Sequence, residues 1–341
     1  MEKLRVAMVG AGGRGMSHIR SIAGAPNIEF VAICDLIEEV GRPVAEEFGV
    51  DYVPSIETLL ADYDIAGVGL CVQTPYHYET AMPVIEAGKH LVTEKPMASS
   101  IAQAREMMEE VEERGLIAAI SYQLRFSPVF RKVKEICDQI DPLQVLFARQ
   151  RGMLKDKYLS PAPFDGIMDF ISHDIDMVPF LAGREPKAVF ATMGRDVWAE
   201  AGAISYMGAQ IELGEGPHKT VGVISSSMGG AGVPQRLDVV GKNGLAVAAG
   251  GEIKYAIGPN PGQDGIPRDF WKASFAGEGR DFTGDLYRHW ADACLRPDEV
   301  ELAPAASYRD GYNALLVSLA MVESGESGEV IDLAEFAAAN T

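Results

Sequence analysis

Two short segments of the 341-residue chain hold residue types that move protons and stabilise charge. One is Thr93-Glu94-Lys95-Pro96, which closes an apolar run; the other is FDGIMDFISHDIDMV, which carries Asp165, Asp169, His173, Asp174 and Asp176. On a helix, Asp169, His173 and Asp176 recur at i, i+4 and i+7 and share one face. An imidazole that titrates near neutral pH beside a fixed ammonium suits a carbinol losing hydride: the base takes the hydroxyl proton and the cation stabilises the oxygen. A polar stripe on an apolar helix also fits a solvated face with an incidental histidine, or a zinc or manganese site. The metal reading is set aside, because no second His or Cys cluster completes a shell. Lys95 alone carries little weight, since lysines are mostly surface residues. Pro96 predicts an extended backbone at Lys95, which directs its side chain.

A hydride acceptor is implied nearer the N-terminus. VAMVGAGGRGMSHI places a GxGxxG at Gly10, Gly12 and Gly15 between an apolar strand and an amphipathic helix. Gly10 permits the turn, Gly12 lets a diphosphate approach the backbone, Gly15 lets helix and strand pack, and the helix start supplies N–H groups. Asp35, twenty residues past Gly15, stands where a carboxylate takes ribose hydroxyls. It repels a 2′-phosphate, and Leu36 and Ile37 offer no compensating cation, so NAD is expected over NADP. Arg14 and Arg42 keep NADP open. Gln73-Thr74-Pro75 follows the run Val68 to Val72, where a dinucleotide crosses an open sheet. The expected cofactor-binding set is Gly10, Gly12, Gly13, Arg14, Gly15, Asp35, Thr74, Pro75, His77, Glu94 and Lys95.

The elements that must position these groups change character at residue 122. Before it, the runs Leu4 to Val9, Phe30 to Cys34, Val68 to Val72, His90 to Thr93 and Ile117 to Ser121 alternate with helical stretches stopped at Gly24, Gly49, Gly88 and Gly115. That rhythm predicts an α/β domain with a doubly wound parallel sheet. After it come a helix over Pro128 to Ile140, a strand Val145 to Arg149, a helix over Gly166 to Leu181, then alternating segments at Ala188 to Val197, Ala203 to Leu213, Thr220 to Ser226 and Arg236 to Val240. These have no crossover helices between them, so an α+β domain with an open, mostly antiparallel sheet is expected. Gly258 to Gly284, rich in Gly and Pro and containing Trp271, reads as a long loop, and helices over Gly284 to Leu295 and Pro304 to Glu323 follow. Two domains result: 1–122 for nicotinamide dinucleotide and 123–341 for substrate and oligomerisation.

Composition narrows the partners. Acidic residues outnumber basic ones 49 to 30, a formal net charge of −19 that repels nucleic acid and anionic lipid. Four separated cysteines form no CxxC, and no apolar run is long enough to span a bilayer, so a reduced, cytoplasmic setting is expected.

The ordered set of glycine turn, Asp35, Thr74-Pro75, Glu94-Lys95-Pro96 and the Asp169/His173 stripe resembles the Gfo/Idh/MocA family of sugar and cyclitol dehydrogenases over nearly the whole chain. The resemblance implies a Rossmann domain, an open-sheet second domain, and a homodimer or homotetramer formed through that sheet. It makes Lys95 the EKP lysine, Asp169 a substrate-orienting carboxylate and His173 the acid/base. Tyr122, Gln123, Arg125, Arg151, Tyr158 and the loop around Trp271 are further candidates to contact a sugar or polyol substrate, with each arginine equally able to pair with an acid. The chain departs from the family where Phe164-Asp165-Gly166 open the second-domain helix in place of several glycines, and where Ile171 fills a position commonly glycine. Two other functions are to be weighed: a glycosidase or epimerase using tightly bound NAD in transient oxidation, and a non-catalytic NAD sensor, against which the presence of Lys95, Asp169 and His173 together argues.

Overall fold

The structure, a computed structural model, describes residues 2–151, 167–196, 202–228, 232–258, 271–274 and 281–340. The chain divides into two compact units: Met1–Phe126 with Asp281–Leu315, and Ser127–Arg280 with Leu316–Thr341.

In the first unit β1 (Leu4–Val9), α1 (Gly15–Ala23), β2 (Ile28–Cys34), α2 (Glu38–Phe48), β3 (Asp51–Val53), α3 (Ile56–Asp62), β4 (Gly67–Leu70), α4 (His77–Glu86), β5 (His90–Thr93), α5 (Ile101–Glu113) and β6 (Ala118–Ile120) follow in turn. β1 and β4 are almost wholly buried, as strands covered on both faces must be. Ser55 and Ser100 cap α3 and α5 by accepting from Thr58 N and Gln103 N. The sheet runs β6-β5-β4-β1-β2-β3, all parallel, so the chain leaves β1 on one side and returns on the other. The crevice between β1 and β4 is the topological switch point.

Three short elements were not expected there or lie elsewhere in the chain. β3 has too few residues to show alternation. The other two come from the C-terminal third. The helix Thr283–Leu295 and the edge strand Ala306–Ser307, antiparallel to β6, return to this unit. Phe282, Leu286, Tyr287 and Trp290 are buried in one core with Val6, Met8, Ile19 and Ile22. Gly67 makes room for this packing, since a Cβ there would lie 2.6 Å from the Trp290 ring. The expected boundary at residue 122 lies close to the end of the first run of this unit at 126, and residues 281–315 complete its core.

The second unit begins with α6 (Pro128–Ile140), whose proline occupies the first turn, and β7 (Pro142–Arg151). α7 (Ile167–Ala182), β8 (Pro186–Gly194), β9 (Tyr206–Leu213), β10 (Thr220–Met228), β11 (Val233–Gly241), β12 (Gly244–Ala249), β13 (Glu252–Ile257) and β14 (Trp271–Ser274) follow. Counting the returning elements in chain order, α8 is Thr283–Leu295, β15 is Ala306–Ser307, α9 is Tyr308–Ser327, β16 is Ile331–Asp332 and α10 is Leu333–Ala339. The sheet order is β14-β13-β12-β11-β7-β10-β9-β8-β16, antiparallel except for the parallel pair β7 and β10. Val145, Phe147, Ile211, Ile224, Leu237 and Val239 form its buried face, over which α6 and α7 pack. Strand alternation puts Phe190, Tyr206, Val221 and Val240 on the opposite, exposed face. The β12–β13 hairpin was not anticipated, and the expected loop after Gly258 contains β14.

Candidate active site

The switch point gathers the predicted dinucleotide residues. β1 delivers Gly10, whose N–H donates to Cys34 O at 2.8 Å at the end of β2. Gly10 has φ +92°, and a Cβ on it would strike the Cys71 carbonyl, so only glycine turns the chain here. Gly12 faces open space, which leaves its backbone approachable. Asp35, the residue after β2, accepts from Ala11 N at 2.8 Å and from Ile37 N at 2.9 Å, one bond to each oxygen. An ionised carboxylate has acceptor capacity beyond two bonds, so ribose hydroxyls can still be taken. A cavity of about 830 Å³ is lined by Gly10, Gly12, Gly13, Asp35, Ile37 and Gln73. The exposed apolar side chains of Leu36 and Tyr76 border it. This donor set fits a diphosphate at the glycine turn, a diol at Asp35 and a flat ring on apolar surface.

Arg14 and Glu94, both expected at the cofactor, are joined in a network within the same unit. The Arg14 guanidinium donates to Glu94 Oε1 at 2.9 Å, to Asp281 Oδ2 at 2.7 Å and to Thr283 Oγ1 at 2.8 Å. Two carboxylates thus hold the one cation of the glycine turn. Glu94 is buried and also accepts from His18 Nε2 at 3.0 Å and from Lys95 N at 2.8 Å. Burial raises its pKa, but the bond and charge of His18, with Lys95 and Arg14, outweigh burial and hold the carboxyl well below the usual range. His18 Nδ1 lies 2.9 Å from the Tyr287 hydroxyl on α8. His18, Asp281, Thr283 and Tyr287 were not anticipated. The one available signal was a histidine on the buried face of α1 beside Ile19 and Ile22.

Lys95 follows β5 at the same sheet edge, half-buried, with a cis peptide to Pro96. Thr74 and Pro75 form the turn before α4. Three further residues expected to touch a ligand are buried. His77 is fully buried, its ring nitrogens 2.7 Å from Pro96 O and 3.1 Å from Val72 O, so it ties two loops together. Arg125 is buried against Asp310 at 3.3 Å. Burial opposes ionisation of Asp310, yet Arg125 and Ser307 hold its pKa below the usual value, as in a structural ion pair. Tyr122 is also buried, with 3% of its surface exposed.

In the second unit α7 presents Asp169 and His173, both half-buried, while Asp174 and Asp176 are buried. A clamp sets the helix on its sheet. Arg149 on β7 donates to Phe170 O at 3.1 Å and pairs with Asp174 at 3.3 Å, and Gln235 on β11 donates to Asp174 Oδ1 at 2.5 Å. Arg149 thereby grips two successive turns of α7, and Ser172 Oγ donates to Asp169 O at 2.8 Å. Ile171 packs into the buried side of the helix with 0% exposure. Arg151 ends β7, and Tyr158 lies outside the described residues. Among the described residues no group of three or more His, Cys, Asp or Glu could hold a metal ion.

Comparison with known proteins places this geometry in a class, the NAD-binding oxidoreductases. A model described as the oxidoreductase family with NAD-binding Rossmann fold matches residues 4–122, and one described as the Gfo/Idh/MocA C-terminal domain matches residues 143–247. The chain belongs to the Gfo/Idh/MocA family of oxidoreductases. The inositol 2-dehydrogenase of Rhizobium meliloti (strain 1021) is 26% identical over 343 residues, covering 97% of this chain and 99% of that protein. The myo-inositol 2-dehydrogenase of Thermotoga maritima is 26% identical over 344 residues, with the same coverage of each. The fold is also that of scyllo-inositol dehydrogenase from Lactobacillus casei, solved with NAD(H) and scyllo-inositol: TM-score 0.79, 18% identity, covering 98% of this chain and 100% of that one. The cofactor is NAD.

Proposed function

We propose that this oxidoreductase transfers hydride between the nicotinamide of NAD and a secondary alcohol of a sugar, cyclitol or related polyol. The observation that carries the reading is the single sheet edge at which the glycine turn, Asp35 and Lys95 all emerge. The similarity to inositol dehydrogenases supports the polyol class. Bound at the glycine turn and Asp35, NAD supplies the hydride acceptor or donor. The residues of the chain handle the proton and the charge. His173 takes the hydroxyl proton in oxidation and returns it in reduction, Lys95 stabilises negative charge on the reacting oxygen, and Asp169 accepts a hydrogen bond from a neighbouring hydroxyl.

Lys95→Ala is the direct test. NADH binding followed by fluorescence should be retained while turnover falls about a hundredfold or more; undiminished turnover sinks the assignment. A thermal-shift screen of cyclitols, aldoses and anhydrosugars with NAD and NADP identifies the substrate class, because a ligand that binds the native state raises its melting temperature. The strict preference for NAD belongs to the same reading and rests on Asp35 and on an Arg14 already held by Glu94 and Asp281.

The second sheet supports an assembly. Its exposed face carries Phe190, Tyr206, Val221 and Val240 among polar side chains on one side of a nine-stranded sheet. We assign it to contacts between copies of this chain, in a dimer or tetramer. The four free cysteines fit a reducing compartment, and we assign the chain to the cytoplasm.

A further inference from the structure

Lys95 is bracketed by two anchored neighbours. On its N-terminal side, Glu94 accepts from His18, Arg14 and the Lys95 N–H itself. On its C-terminal side, the Pro96 carbonyl lies 2.7 Å from Nδ1 of His77, the first residue of α4. The other ring nitrogen of His77 lies 3.1 Å from the carbonyl of Val72, which lines the dinucleotide cavity. One imidazole therefore spans the segment after β4 and the segment after β5. A second tie runs beside it, from Ser99 Oγ to Thr74 O at 3.3 Å.

Proton counting decides how the splint works. Both partners are carbonyl oxygens, which only accept, and a neutral imidazole carries one N–H. Burial disfavours the charged ring; the carbonyls of Pro96, Val72 and Met97 and the carboxylate of Glu94 favour it, and burial is the larger influence, so the pKa is pushed down. The neutral ring then serves one carbonyl, and the shorter contact marks Pro96.

We infer that His77 is a positioning residue for the reaction: as the Nδ1–H tautomer it donates to Pro96 O and holds the backbone that aims Lys95 against the turn after β4. The inference rests on the role of Lys95 proposed above. A histidine that merely filled space would show no preference for this tautomer, and its replacement would lower stability without lowering turnover selectively.

Two measurements test it. Nitrogen NMR of 15N-histidine-labelled protein at neutral pH, with the His77 signals assigned by their loss in a His77 variant, should show Nδ1 protonated and Nε2 bare. An Nε2–H ring overturns the inference. Kinetics on myo-inositol as probe should show His77→Leu losing about tenfold or more in kcat with NADH affinity within about threefold of the parent, as expected of a misplaced catalytic group. His77→Asn, whose amide nitrogen can stand where Nδ1 stands, should recover most of that loss. Unchanged kcat in His77→Leu, or an equal loss in both variants, overturns the inference. Should His77→Leu fail to fold, the tautomer and His77→Asn decide. The tautomer is read without substrate, so a protein that turns over no polyol refutes the functional reading while leaving this test standing.

Discussion

At the scale of single residues, charged groups in the first unit are occupied mainly with one another. Asp35 is tied to Ala11 N and Ile37 N before any ligand arrives, so it both shapes the glycine turn and presents the acceptor for ribose. Asp35→Ala should raise the NADH dissociation constant about ten- to a hundredfold, the range for hydrogen bonds to a charged group, and should narrow the margin over NADPH because a repelling charge is gone. Fluorescence titration with both nucleotides checks this; an unchanged margin would show that discrimination lies elsewhere. The glycines and Asp35 were legible because each answers a local demand of the turn. Arg14 was legible only as a cation. Its partners Glu94 and Asp281 lie 80 and 267 residues away, and no local pattern joins them. Arg125 misled for the same reason, its acid being Asp310.

At the scale of elements, the first sheet and its helices were readable wherever a strand was long enough to show a buried run. β3, three residues long, was not. The hairpin of β12 and β13 did carry a signal: Gly250-Gly251, both at positive φ, separate two apolar runs joined by a two-residue turn. The helix α8 was expected, but its destination was not, since amphipathicity reports a buried face and never names the surface it meets. Trp290 shows how much depends on that meeting. It is fully buried and donates from Nε1 to Ile117 O at 3.0 Å. Trp290→Ala should cost about 3–5 kcal/mol, measured by urea denaturation of the parent and the variant, and a loss below about 1 kcal/mol would contradict the packing.

At the scale of the whole molecule, two responses follow. The first is to acid. His77 and His90 have pKa values lowered by burial, so the native state favours their neutral forms; their contribution to stability is present above the ordinary value of 6.5 and is lost as pH falls below it. Glu94 and Asp281 are held below their ordinary values of 4.5 and 3.8 by partners that outweigh burial, so their contributions are present above those values and disappear at lower pH. Calorimetry should show the melting temperature falling in two stages, first below about pH 6.5 and then more steeply below about 4.5; a flat profile from pH 7 to 4 would contradict the buried network. The second response is assembly. Val221→Lys on the exposed face of the second sheet should shift light-scattering mass from oligomer towards monomer, and a parent that is monomeric at micromolar concentration refutes the assembly proposed for that face.

The return of residues 281–315 to the first unit also sets an order of events during synthesis. When the ribosome has released the first 126 residues, every strand from β1 to β6 exists, yet the covering that Phe282, Leu286, Tyr287 and Trp290 provide has still to be translated. A nascent chain paused at that length carries an uncovered apolar patch and a glycine turn whose Arg14 lacks Asp281 and Thr283. The first core is therefore completed only once residues 281–315 have been made.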